Sequence, residues 1–189
     1  MNNQNYFLNL FDFVIALFAL ICLTPLLIII FSLCFIENKN PIFIQKRVGQ
    51  NLKPFYLYKF RTMKKNTPSL PTHLIKKKYI TKCGRVLRIL KLDELPQLIN
   101  VLRGDMSLVG PRPCLFNQIE LINARQKYNL YKMKPGITGL AQIKRIDMSN
   151  PEVLAKFDFT MCTNYNIKSY FKYLFLTIFG KGIKDNFLN

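Results

Sequence analysis

Residues 13–36 read FVIALFALICLTPLLIIIFSLCFI, a run of 24 uncharged and mostly apolar residues. As one straight helix it measures about 36 Å, enough to cross the hydrocarbon core of a bilayer. It does not have the form of a cleaved signal peptide. No Lys or Arg precedes it, the apolar stretch is too long, and no small-x-small site follows. The segment is therefore expected in the mature protein. Pro25 stands in its middle, where it removes a backbone donor and crowds the preceding turn. Thr24 can hydrogen-bond the carbonyl region that Pro25 frees. Two geometries follow. A kinked helix crosses the membrane, or two halves of roughly 18 Å each dip in and return to one face. In both, Lys39, Lys46 and Arg47 follow closely and predict a cytoplasmic main domain.

The rest of the 189 residues contrasts with this segment. Residues 1–36 hold no Lys or Arg, so all 28 basic residues lie beyond them, against 10 acids in the whole chain, for a net charge of +18. That asymmetry points to a membrane or polyanionic partner. Half of the residues are apolar, which excludes disorder. Five scattered cysteines, no CxxC pair and a single histidine, His73, exclude a disulfide scaffold and a Cys/His zinc site. The cysteines read as reduced thiols.

Alternation within PIFIQKRVGQNLKPFYLYKFRTM, residues 41–63, predicts one or two short strands with a turn at Gly49-Gln50-Asn51. Lys59 and Arg61 would then share a strand face. Residues 64–82 read as a basic loop. RVLRILKL, residues 85–92, suits a helix with Arg85, Arg88 and Lys91 along one side. Pro96 favours a fresh helix start and Gly104 its stop. SLVGPRP, residues 107–113, and KPGITGLAQ, residues 134–142, read as turns, with Pro135-Gly136 suited to a type II turn. Helices are expected over 152–163 and 165–183, the latter with the Tyr, Phe and Lys content of a helix in a membrane interface.

From residue 38 to residue 92 there are 15 Lys or Arg and no carboxylate; the gap ends on Asp93 and Glu94, side by side. Cations and a helix N-terminus favour the ionised form of both. Such a pair can supply a nucleophile, a Mg²⁺ ligand or a general base, or simply cap the helix. The surrounding cations suit a diphosphate. Arg112, between Pro111 and Pro113, has a restrained backbone and a guanidinium fork suited to phosphate.

The strings DFVIALFALICLTPLL, PIFIQKRVGQNLKPFYLYKFRTM, LDELPQLINVLRGDMSLVGPRP and KPGITGLAQ occur in that order between residues 12 and 142. On these strings the chain resembles the bacterial sugar transferases known as monotopic phosphoglycosyl transferases, in their short form. The resemblance implies an α+β fold: a re-entrant helix–break–helix membrane segment, residues 1–38, and a small cytoplasmic α+β catalytic domain with interfacial helices, residues 39–189. It implies transfer of a phosphosugar from a UDP-sugar to polyprenyl (undecaprenyl) phosphate, with release of UMP, at the cytoplasmic face of the bacterial inner membrane. The partners are then the UDP-sugar, the lipid phosphate and inner-leaflet lipids, and not nucleic acid.

By the same resemblance Asp93 is the nucleophile that takes the phosphosugar, Glu94 assists, and the two are the candidate ligands of Mg²⁺. Lys59, Arg88 and Arg112 match the family's phosphate site, and Arg145 matches a further Arg with a shift of one residue. Thr24-Pro25 stands where many members have Ser-Pro at the membrane break. In the C-terminal pattern Asp158, Asn164 and Thr177 fit, whereas Asn166 and Tyr170 replace a Ser and an Asp. Arg125 falls outside the matched strings and is expected to tolerate lysine. The competing reading is a non-enzymatic, membrane-anchored basic protein that binds anionic lipid or nucleic acid; the charge alone would support it.

Overall fold

The computed structural model describes residues 3–64, 67 and 79–179, with the backbone only for 3–6. His73, most of the expected basic loop 64–82 and the end of the expected helix 165–183 lie outside the described residues.

Helix α1 spans Asn3–Asn38, and Pro25 lies inside it. The expected break is thus not an interruption of the helix. Pro25 leaves the carbonyl of Ile21 without its usual donor. The Thr24 hydroxyl does not take that carbonyl; it donates to the carbonyl of Leu20 at 2.7 Å. This i−4 bond is one that bends helices. Among the described residues α1 is the one helix long and apolar enough to cross a membrane. Its middle is bare: Phe18, Ile21 and Ile28 are exposed.

Both ends of α1 are nevertheless tied to the rest of the chain. Leu8, Asp12 and Ala16 are buried against one core cluster, and Ile30 and Cys34 against another. Asp12 Oδ1 accepts from the Leu108 amide at 2.9 Å and from the Tyr170 hydroxyl at 2.8 Å. Glu37 Oε1 accepts from the Cys83 amide at 3.0 Å.

Strands β1 (Ile42–Val48) and β2 (Pro54–Phe60) form the expected antiparallel hairpin, closed by a 3₁₀ turn at Gln50–Leu52 in which Asn51 and Leu52 take positive φ. Period-two alternation sends Phe55, Leu57 and Lys59 to the inner face. Helix α2 (Lys82–Ile89) begins where Thr81 accepts from the Gly84 amide, a side-chain N-cap. It is followed by a 3₁₀ turn, Leu92–Glu94, and then by α3 (Gln97–Leu102), capped at Arg103 and followed by Gly104 with φ of 79°.

The two segments read as turns each hold a short strand. β3 (Ser107–Val109) pairs in parallel with β4 (Gly136–Thr138), so Gly136 begins a strand instead of sitting in a type II turn. The reason is close backbone approach: a Cβ on Gly136 would collide with the backbone N and Cα of Gly110. Helices α4 (Ile119–Lys127), α5 (Leu140–Ile143), α6 (Pro151–Thr163) and α7 (Ile167–Ile178) complete the fold. α6 is near its expected bounds, while α4 had no sequence signal that singled it out. α7 opens with a reciprocal cap between Asn166 and Ser169. Its Tyr170 and Tyr173 are buried, whereas Ile167, Phe175 and Ile178 remain exposed. Phe171 of α7 meets Phe11 of α1 edge-on at 5.6 Å, so the exposed apolar stripe of α7 adjoins that of α1.

Candidate active site

Asp93 and Glu94 occupy the 3₁₀ turn between α2 and α3, entered through Lys91 in a left-handed conformation, φ 56°. This turn lifts the pair out of either helix and sends the two side chains into different surroundings. Glu94 is bound on one oxygen by two cations: Lys59 Nζ donates to Oε1 at 2.7 Å and Arg112 Nη2 at 2.8 Å. Asp93 is also buried, yet its carboxylate makes no hydrogen bond or ion pair with a described residue.

The electrostatics differ accordingly. Burial opposes ionisation of Glu94, but Arg112 and Lys59 outweigh it and hold the group well below the usual carboxylate range. Burial pushes Asp93 up to about 6; Glu94 adds to the rise, and Lys59, Arg88 and Arg112 pull against it. The expectation that both are ionised therefore holds firmly for Glu94, while Asp93 is poised between its two forms just below neutrality.

Three further side chains expected at the site converge there. Lys59 projects from the inner face of β2. Arg88, on α2, donates through Nε to the buried Thr62 hydroxyl at 2.8 Å and acts electrostatically on Asp93. Arg112 lies in the extended segment after β3. Arg61 does not join them: beyond the end of β2 it donates to the carbonyls of Asn40 and Ile42 and lies over the Phe43 ring. Arg145 stands apart as well, exposed in the turn after α5 with φ of 60° and no hydrogen bond or ion pair to Asp93 or Glu94. Thr24 and Pro25 belong to the bare middle of α1.

Two arginines that the sequence reading did not assign to the site hold the backbone around Arg112. Arg125 is buried and donates through Nε and Nη2 to Asp158 Oδ2, at 3.0 and 2.6 Å, and through Nη1 to the Arg112 carbonyl at 2.8 Å. The expectation that Arg125 tolerates lysine is thereby corrected, because an ammonium cannot span Asp158 and that carbonyl in the same fork geometry. Arg47 donates through Nη1 to the Pro113 carbonyl at 3.2 Å. Burial, with Arg112 as a neighbouring cation, lowers Arg47 to about 10. Pro111 and Pro113 have no N–H, so the carbonyls are the groups by which this segment can be gripped. An arginine in KRVG is a visible signal; for Arg125 only the pairing with Asp158 reveals the role.

The donor set limits what metal can be held. Among the described residues no group of three or more His, Cys, Asp or Glu forms a cage. Two adjacent carboxylates with Lys59, Arg88 and Arg112 around them have the donor chemistry of a Mg²⁺ site, since Mg²⁺ is commonly held by one or two carboxylates together with substrate phosphates and water.

A sequence model of the family described as bacterial sugar transferase matches residues 3–182. An uncharacterised sugar transferase, EpsL, of Bacillus subtilis is 39% identical over 171 residues, covering 90% of this chain and 84% of that protein. The exopolysaccharide production protein ExoY of Sinorhizobium fredii is 36% identical, covering 89% of this chain and 82% of its own length. A UDP-glucose:undecaprenyl-phosphate glucose-1-phosphate transferase of Escherichia coli is 36% identical over 178 residues, of which the match spans 89% of this chain and 38% of the longer protein.

Proposed function

The chain belongs to the bacterial sugar transferase family and is a sugar-phosphate transferase, and from that premise we propose that it moves a phosphosugar from a UDP-sugar to polyprenyl (undecaprenyl) phosphate through an aspartyl-phosphosugar, releasing UMP. The observation that carries the covalent route is the inequality of the two carboxylates. Glu94 is committed to Lys59 and Arg112, whereas Asp93, one residue earlier, makes no hydrogen bond or ion pair with a described residue. A nucleophile needs a lone pair that is not already bound.

In the first half-reaction an Asp93 oxygen forms a bond to the β-phosphorus, the bridging P–O bond breaks, and UMP leaves. Lys59, Arg88 and Arg112 stabilise charge on the phosphoryl oxygens. In the second, the lipid phosphate attacks the same phosphorus and the Asp93 carboxylate is released. Glu94 keeps Lys59 and Arg112 aligned and assists. Mg²⁺, held by Asp93 or Glu94 together with the diphosphate, would neutralise phosphate charge when bound.

On the inner leaflet α1 would be re-entrant, one continuous helix bent at Thr24-Pro25. Support comes from the tethers at Asp12 and Glu37. If residues 13–36 crossed the hydrocarbon, the polar domain that binds both tethers would have to extend through its roughly 30 Å thickness. Burying so basic a domain in lipid is prohibitive. The lysines and arginines after α1 favour the cytoplasmic side. A non-enzymatic binder of anionic lipid or nucleic acid is not favoured, since it has no need for a buried carboxylate pair aligned by cations.

The test is direct. Protein incubated with a panel of UDP-sugars and Mg²⁺, without lipid phosphate, is expected to gain the mass of one phosphosugar on Asp93 and to release UMP. Asp93→Asn should abolish both; Glu94→Gln should slow turnover yet still yield adduct. An adduct on Glu94, or steady turnover with no adduct under any trapping condition, overturns the covalent route.

A further inference from the structure

Strand β2 pairs with β1 along one edge only. At its other edge the side chain of Asn100, from the middle of α3, takes the place of a neighbouring strand. Asn100 Oδ1 accepts from the Tyr58 amide at 3.1 Å, and Nδ2 donates to the Tyr56 carbonyl at 2.7 Å. Each half of the carboxamide thus meets the backbone group that a paired strand would offer. Asn100 is wholly buried. Its own carbonyl accepts from the amides of Asp105 and Met106, at 3.0 and 3.3 Å, which closes the turn after α3.

Asparagine is a poor choice inside a helix, because its side chain competes for backbone hydrogen bonds. An apolar residue here would leave the Tyr58 amide and the Tyr56 carbonyl without the partners they have at this part-buried edge. The placement matters for chemistry because of what stands next to it. Tyr58 precedes Lys59, whose Nζ reaches Glu94, and Glu94 lies in the turn that leads into α3. One end of the Lys59–Glu94 contact therefore lies on β2 and the other in the turn that leads directly into α3, and this one carboxamide joins β2 to α3.

We propose that Asn100 is a positioning residue for phosphosugar transfer: by bonding the free edge of β2 it sets Lys59 against Glu94 and beside Asp93. The proposal rests on the reading that these residues form the reactive centre. Reactions of this kind lose rate steeply when a charged group shifts by a fraction of its contact distance.

The experiment is a double-mutant cycle on UMP release by the full chain in lipid nanodiscs, with Asn100→Ser, Lys59→Gln and the double variant. Serine is too short to bond both backbone groups. Asn100→Ser is expected to lower kcat by about tenfold or more. The double variant is expected to be no slower than Lys59→Gln alone, because the residue being positioned is already gone. A merely structural role of Asn100 would instead reduce the folded fraction, and the two losses would multiply; that result overturns the proposal. If Lys59→Gln is fully active, the reading of the site falls and this inference with it. If Lys59→Gln is impaired but Asn100→Ser is not, only the inference falls. Hydrogen exchange on the unmutated protein gives a check that does not depend on any variant folding. The Tyr58 amide should be protected like those inside the hairpin, and exchange as fast as in an exposed loop overturns the clamp.

Discussion

Arg125 Nη1 donates a 2.8 Å hydrogen bond to the backbone carbonyl of Arg112, while its other two nitrogens grip Asp158. One guanidinium thus joins α4, α6 and the segment that presents Arg112 to Glu94. Two arginines with different tasks should respond differently to the same substitution. Arg125→Lys breaks a buried, three-point contact and is expected to cost about 3 kcal/mol of stability, with lower UMP release as a consequence. Arg112→Lys, at a half-exposed side chain, should leave the melting temperature nearly unchanged and reduce turnover markedly, because the fork is lost while the charge stays. Thermal unfolding in detergent, run beside a UMP assay, separates them. A thermally silent Arg125→Lys would contradict the role given to that bond.

The pH dependence follows from Asp93. Its folded value is raised to about 6, mainly by burial, and only the ionised carboxylate is a nucleophile. Activity is therefore present above this value and lost as pH falls through it, with about a tenfold drop per unit on the acid side. Glu94 is shifted the other way and contributes no limb in this range. Lys59 pulls Asp93 down, so Lys59→Gln should move the acid limb to higher pH. The measurement is kcat/KM for UMP release across roughly pH 5 to 8. A flat profile for both proteins would remove Asp93 from the role of titrating nucleophile.

Topology gives a third prediction. If α1 is re-entrant as proposed, a cysteine placed at Asn3, in a background lacking the five native cysteines, should resist a membrane-impermeant thiol reagent applied to intact cells. It should react once the membrane is permeabilised. Labelling from outside in intact cells would establish a spanning helix.

Two glycines should differ in cost for a structural reason. At Gly136 a methyl group meets the backbone of Gly110 across the β3–β4 pair, which cannot give way as a flexible side chain would. Gly136→Ala is expected to cost about 3 kcal/mol or more and to lower expression. At Gly104 a Cβ has open space, with only Lys134 Nζ nearby at 3.8 Å, and the obstacle is a φ of 79° alone. Gly104→Ala should cost roughly 1–2 kcal/mol. Equal melting temperatures for the two variants would argue against the close approach.

Local rules were enough for some elements. The β1–β2 hairpin was legible because alternation around Leu57 and Lys59 and a polar turn at Gly49-Gln50-Asn51 are short-range signals. The α2–turn–α3 arrangement was legible from Pro96, Gly104 and the acids just ahead of them. The motif strings pointed to Asp93, Glu94, Lys59, Arg88 and Arg112 as candidates, and the apolar run 13–36 announced a helix long and apolar enough to cross a membrane. What the sequence could not express was which atoms meet. The parallel pairing of Ser107–Val109 with Gly136–Thr138 joins three-residue strands far apart in the chain, too short to carry a periodicity of their own. Arg125 and Asn100 look like an ordinary helix cation and an ordinary helix amide until Asp158, the Arg112 carbonyl and the edge of β2 are brought to them. The difference between Asp93 and Glu94, adjacent and chemically alike, arises only when Lys59 and Arg112 arrive from two other elements and bind one carboxylate but not the other. Secondary structure responds to neighbours within a few positions along the chain, whereas hydrogen bonds, burial and charge pairing depend on distance in space, and only the packed tertiary structure sets those distances.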